Sequence, residues 1–237
     1  MARRPGRPRA NAEQATGRGT AQDLLDAAAA LFCTVGYTST STYAIAERAG
    51  VRQASMYHHF AGKHAILHEL LLGTVRPSLR NAELLARIDA GVPARLWALA
   101  AADVELLCAP RDNLGALYFL PELSDERFAP FRALHLALRA GYADLVGQYP
   151  GVRGEDVGEL SSLAIGLVES VILRRREEPD LRADDVAPRV ADAVQRLLGA
   201  TPAGLAAVRA EGLALRATLP DLGVARFPQN RAARPEN

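Results

Sequence analysis

Two cysteines in 237 residues, Cys33 and Cys108, leave no disulfide framework to hold this chain together. Both fall in apolar helical stretches far apart in sequence and read as packed thiols; a redox sensor is the rival reading. Lysine is nearly missing: Lys63 stands alone among 28 basic residues, a bias we read mainly as coding preference for arginine. No run of about 18 uncharged apolar residues occurs, and residues 1 to 19 carry no hydrophobic signal segment, so neither a membrane span nor secretion is expected. The cytoplasm is the expected compartment. Strand-like alternation is absent too, which points to an all-α fold. Nor is there a Gly-x-Ser-x-Gly elbow, a phosphate-binding glycine loop after a strand, or a paired-carboxylate motif, so no catalytic residue is expected.

What is present is a globular composition, 49% apolar, long enough to bury one small and one larger core. The net charge of +1 hides an asymmetry. Residues 1 to 65 carry eight Arg and Lys against four acids, a local balance of +4, which leaves −3 for the remainder. Only the N-terminal part is suited to meet a polyanion.

Within that part, residues 40 to 63 read as two short helices across a tight turn. Ile45, Ala46 and Ala49 give the first an apolar face, and Ser41 or Thr42 can cap it. Gly50 allows the turn and Val51 fills the angle. The second helix starts near Arg52 and brings Met56 and Phe60 inward, which turns Gln53, Ala54 and Ser55 outward at its N-terminal end. That is a helix-turn-helix, and it makes double-stranded DNA the expected partner. Gln53 can bond adenine bidentately, a small Ala54 or Ser55 suits a thymine methyl, and Arg52 can reach guanine or a phosphate. Tyr57, His59 and Lys63 follow as donors at phosphate height.

Leu31-Phe32, Val35-Gly36-Tyr37, Ile45-Ala46, Ala49-Gly50-Val51, Tyr57-His58-His59-Phe60 and Lys63 together resemble the N-terminal domain of the tetracycline-repressor (TetR) family of bacterial regulators. The signature covers the first fifth of the chain; the rest is similar in length and helix pattern alone. The resemblance implies a homodimer that binds a palindromic operator and is released by a small-molecule effector held in a larger C-terminal domain. It also implies phosphate contacts for Thr42, Tyr57, His59 and Lys63. Tyr43 falls where the family often reads a base, although it could instead pack against the scaffold. The alternative is a DNA-binding protein of architectural type, without effector control.

Four segments follow. Residues 1 to 19 are a basic arm expected to be disordered alone, in which Arg4-Pro5-Gly6-Arg7-Pro8-Arg9 resembles an AT-hook, with Arg7 reaching a narrow minor groove; the alternative is a solvated basic tail that adds only nonspecific attraction. Residues 20 to 68 form the three-helix DNA-binding domain, and a fourth helix from Lys63 is expected to kink or end at Pro77. Residues 69 to 200 make the helical ligand-binding and dimerisation domain. Residues 201 to 237 hold a further amphipathic helix and a polar tail whose role is not legible.

In the larger domain Phe128, Phe131, His135, Leu138, Tyr142, Leu145 and Tyr149 lie on one stripe, read as one long buried helix. Two later helices, with Leu160, Leu163, Ala164, Leu167, Val168, Val171 and Ile172 on one and Val186, Val190, Ala193, Val194, Leu197 and Leu198 on the other, are apolar around much of their circumference. The resemblance implies that they pair with a second copy as a four-helix bundle, through positions such as Val171 and Val194. Polar or aromatic groups set into apolar faces, namely Trp97, Asp103, Tyr118, His135, Arg139 and Tyr142, are the candidate effector ligands. Internally satisfied core polar groups are the competing reading. His64 and His68 share a helix face, but Ala65 stands where a zincin motif needs glutamate, so no metal or cofactor is expected.

Overall fold

The computed structural model describes residues 19–220, and all regular structure among them is helical. These residues divide into two compact units, the first ending at Glu69 and the second starting at Leu70. The arm with Arg7 and the tail after Pro220 lie outside the described residues.

The first unit contains α1 (Thr20–Thr34), α2 (Thr42–Arg48) and α3 (Gln53–His59). Leu24, Leu25, Ala28 and Phe32, at helical spacing, bury the inner face of α1. Ser41 caps α2, its Oγ accepting from the Ala44 amide at 3.1 Å. The turn after α2 closes with two bonds, Val51 N–H to the Ala46 carbonyl at 2.9 Å and Gly50 N–H to the Glu47 carbonyl at 3.0 Å. This double closure puts Gly50 at φ 69°, where any side chain would strain the backbone. The chain is thereby turned so that Met56 of α3 buries beside Ile45 and Ala46 of α2.

Helix α4 (Lys63–Arg87) begins in the first unit and ends in the second. It does not stop at Pro77. Proline there removes one backbone bond at a cost of about 3 kcal/mol, while burial of Ala82 and Leu85 beyond it repays continuation of the helix.

In the second unit α5 (Val92–Cys108) is the axis, and α6 (Ala129–Gly147), α7 (Val157–Glu177), α8 (Ala183–Leu197) and α9 (Pro202–Thr218) pack against it. Every residue of α5 from Leu96 to Val104 is buried, as expected of a helix apolar on all sides. Between α5 and α6 the chain runs through 3-10 turns at Leu114–Phe119, Pro121–Ser124 and Glu126–Phe128. Phe128 therefore precedes, and Tyr149 follows, the helix that carries the rest of their stripe, and that helix is buried only in part, at Phe131, Tyr142, Leu145 and Val146. Two arginines and a glycine lock the packing. Buried Arg175 donates to the carbonyls of Leu107, at 2.7 Å, and Pro110. Arg209 of α9 pairs with Asp192, which also accepts from the Trp97 indole at 2.9 Å. Gly212 of α9 lies so close to Trp97 that a Cβ would stand 2.5 Å from its ring. Helix α9, whose role the sequence left open, thus covers Trp97.

Val171 and Val194 are both fully buried within the chain's own core. What α7 leaves outside is a different face: Leu163 and Leu173 are 48% and 55% exposed, with open space beside Gly166 between them.

Candidate nucleic-acid interface and buried cavity

Along α3 the buried Met56 fixes which side chains face outward. Arg52, Gln53, Ala54, Tyr57, His58 and His59 are exposed, and Ser55 is half-buried. Thr42 of α2 comes to the same place: the Gln53 side-chain amide donates to its Oγ1 at 2.9 Å, and the Tyr57 hydroxyl stands 3.4 Å from that oxygen. These three residues, drawn from α2 and α3, form one polar patch. Tyr43 is 60% exposed, so it does not pack against the scaffold. Arg52 flanks the patch at the N-terminus of α3, where backbone amides and a cationic side chain both favour anions.

Lys63, expected at a phosphate, is bonded within its own unit. Its ammonium donates to the carbonyls of Tyr37 at 2.9 Å, Thr38 at 3.1 Å and Thr40 at 3.0 Å, and lies 4.5 Å from the centroid of the Tyr37 ring. All three protons are used. The group staples the loop between α1 and α2, because an ammonium close to three carbonyls is worth more there than in water.

A cavity of about 30 Å³ lies in the second unit among Thr74, Asp103, Tyr118, His135, Tyr142 and Glu169. Four of the six candidate effector residues line it. Trp97 and Arg139 do not: Trp97 is sealed under α9, and Arg139 donates to Ser162 at 3.2 Å. Tyr142 donates to Asp103 Oδ2 at 2.8 Å, Tyr118 donates to Thr74 at 2.7 Å, and His135 sits 3.1 Å from Glu169. Phe131 stacks on the His135 ring, with centroids 5.8 Å apart. Burial pushes the Asp103 carboxyl up to about 6, with Glu169 adding to the rise and the Ser78 and Tyr142 hydroxyls acting against it. Burial likewise raises both tyrosines well above the ordinary phenol range.

Thr74, Ser78 and Glu169 are cavity residues that sequence reasoning misses. Thr74 and Ser78 are one turn apart on α4, a signal hidden by expecting an end at Pro77. Glu169 is a lone acid inside the apolar run of α7. Among the described residues no group of three His, Cys, Asp or Glu side chains could hold a metal ion, and no helix is long and apolar enough to cross a membrane.

A small helical unit that presents α3 to solvent, followed by a larger helical unit with a polar cavity, has the layout of the helix-turn-helix class of regulators. Residues 24–70 match the family model described as bacterial regulatory proteins, tetR family. The chain is 41% identical to Mycobacterium smegmatis AmtR, whose crystal structure it matches over 87% of its own length and 98% of that chain, with a TM-score of 0.73. The TetR family regulator PfmR from Thermus thermophilus shares the fold at 22% identity over 73% of this chain and 97% of that one, with a TM-score of 0.63. The HTH-type transcriptional repressor KstR2 of Mycobacterium tuberculosis (strain CDC 1551 / Oshkosh) is 45% identical over 51 residues, 22% of this chain and 26% of that protein. The chain thus spans about a quarter of the length of the curated relatives it matches. It belongs to the tetR family of bacterial regulatory proteins.

Proposed function

We propose that this regulator is a repressor that binds a palindromic operator as a homodimer and releases it when a small-molecule effector enters the cavity of the second unit. The observation that carries the reading is the patch of Thr42, Gln53 and Tyr57 with Arg52 and Ala54 beside it, a polar and small-residue surface at the N-terminal end of α3 where base edges are read. Repression is the activity of the KstR2 relatives, which are transcriptional repressors. Leu163, Gly166 and Leu173 on α7 support the homodimer, since large apolar side chains seldom line one helix face without a partner. The cavity supports effector control, and α4 supplies a route: the helix that starts at Lys63 also carries Thr74 and Ser78.

The test is binding of purified protein to its own promoter and to random DNA at about 150 mM salt, where a specific regulator retains preference after phosphate attraction is screened. Preference for the promoter, with a two-fold symmetric footprint, is expected. Equal affinity for both would remove the operator reading.

A further inference from the structure

We propose that the cavity of the second unit takes a small organic cation, a protonated alkylamine whose ammonium group donates to the free oxygen of Asp103 and to Glu169. This deepens the effector reading above and rests on it. Asp103 is 4% exposed, and only one of its carboxylate oxygens is satisfied: Tyr142 donates to Oδ2, while Oδ1 has no hydrogen-bond partner. An orphaned acceptor at that depth asks for a donor.

The surrounding groups do not supply one. Tyr118 donates to Thr74, which itself donates to the Leu71 carbonyl at 2.7 Å. His135 is turned to Glu169, and although the Ser78 hydroxyl faces the Asp103 carboxylate and favours its charged form, Oδ1 is left without a hydrogen-bond partner. Charge points the same way. Two carboxylates line the cavity, and no arginine or lysine does. The two carboxylates outnumber the single histidine beside them, so at least one negative charge lacks a counterpart; an ammonium on the ligand provides both the missing proton donor and the missing charge. An anionic ligand would meet a like charge instead. Leu107, Leu138, Ile165 and Val168 complete the wall and suit an alkyl stem. At about 30 Å³ the space is that of one water, so it fits an ammonium head, and the stem must part the apolar wall.

The carboxylate must be ionised to hold a cation. Asp103 is faced by Ser78 from α4, Tyr118 from the 3-10 segment, His135 and Tyr142 from α6 and Glu169 from α7. Because its carboxyl sits at about 6, amine affinity should rise with pH through that value and level off above it.

The experiment is a titration of the full chain with n-butylammonium and 1,4-diaminobutane, against 1-butanol and butyrate at matched ionic strength, read by calorimetry and by the unfolding midpoint. Both amines are expected to bind and raise the midpoint. Asp103→Asn, which keeps the shape and the Tyr142 bond, should weaken amine binding by about tenfold or more, and Glu169→Gln should weaken it less. No binding by either amine, an undiminished response in Asp103→Asn, or tighter binding of butyrate would overturn the proposal. Operator affinity measured in the same solutions separates the two readings. Amine binding that leaves DNA bound sustains the cation site and removes effector control, whereas release by butanol or butyrate through this cavity sustains effector control and removes the cation.

Discussion

The Lys63 ammonium lies 4.5 Å from the centroid of the Tyr37 ring and gives its protons to the carbonyls of Tyr37, Thr38 and Thr40. The sole lysine of the chain is thus a fastener of the DNA-binding unit. Lys63→Ala should cost about 1–3 kcal/mol of stability, since charge-assisted bonds to partly buried carbonyls are lost along with a cation–π contact. Denaturant unfolding followed by helical signal reads this. An unchanged midpoint together with uniformly weaker DNA binding would return Lys63 to the phosphate role.

Gln53 and Tyr57 share Thr42 and should nevertheless separate in function. Gln53→Ala is expected to relax discrimination at one base pair per half-site by about 1–3 kcal/mol, whereas Tyr57→Phe should weaken all sequences nearly equally. Competition with single-substitution operators distinguishes the two profiles.

Asp103 makes stability depend on pH in an unusual direction. Its carboxyl holds a proton to about 6 when folded, against 3.8 in the ordinary range. Between those values the folded state binds more protons than the unfolded one, so stability falls as pH rises, by roughly 3 kcal/mol in all, and is flat above. Asp103→Asn should remove this slope and be the more stable protein at neutral pH. Urea midpoints measured across the window test both statements.

Leu163 and Val171 occupy the same helix with opposite environments, 48% exposed and fully buried. Leu163→Glu should therefore split the proposed homodimer while leaving a folded chain, and Val171→Glu should unfold it by burying a charge. Sedimentation paired with circular dichroism discriminates these fates. A folded, undiminished dimer for Leu163→Glu would move the interface elsewhere.

Gly212→Ala puts a methyl 2.5 Å from the Trp97 ring and should cost about 1–3 kcal/mol through overpacking. A thermal midpoint equal to that of the parent would mean that α9 can lift without penalty.

The sequence by itself determined the helical class, the turn at Gly50, a cap at Ser41 or Thr42 and the outward side chains of α3, because each depends on neighbours within a few residues. Local spacing also marked Asp103, Tyr118, His135 and Tyr142 as polar intrusions in apolar surroundings. Tertiary structure decided the rest. Only packing shows that Lys63 spends its protons on a loop some 25 positions earlier, or that Trp97 serves Asp192 while Tyr142 serves Asp103. Pro77 reads from sequence as a kink or an end to α4, and only the burial gained beyond it keeps the helix going and carries Ser78 to the cavity beside Thr74. An apolar stripe has no label for which half meets its own chain. The crossings of α5 with α6, α7 and α8 chose Val171 for the core and left Leu163 to the surface, since helix faces are assigned by contacts between residues distant in sequence.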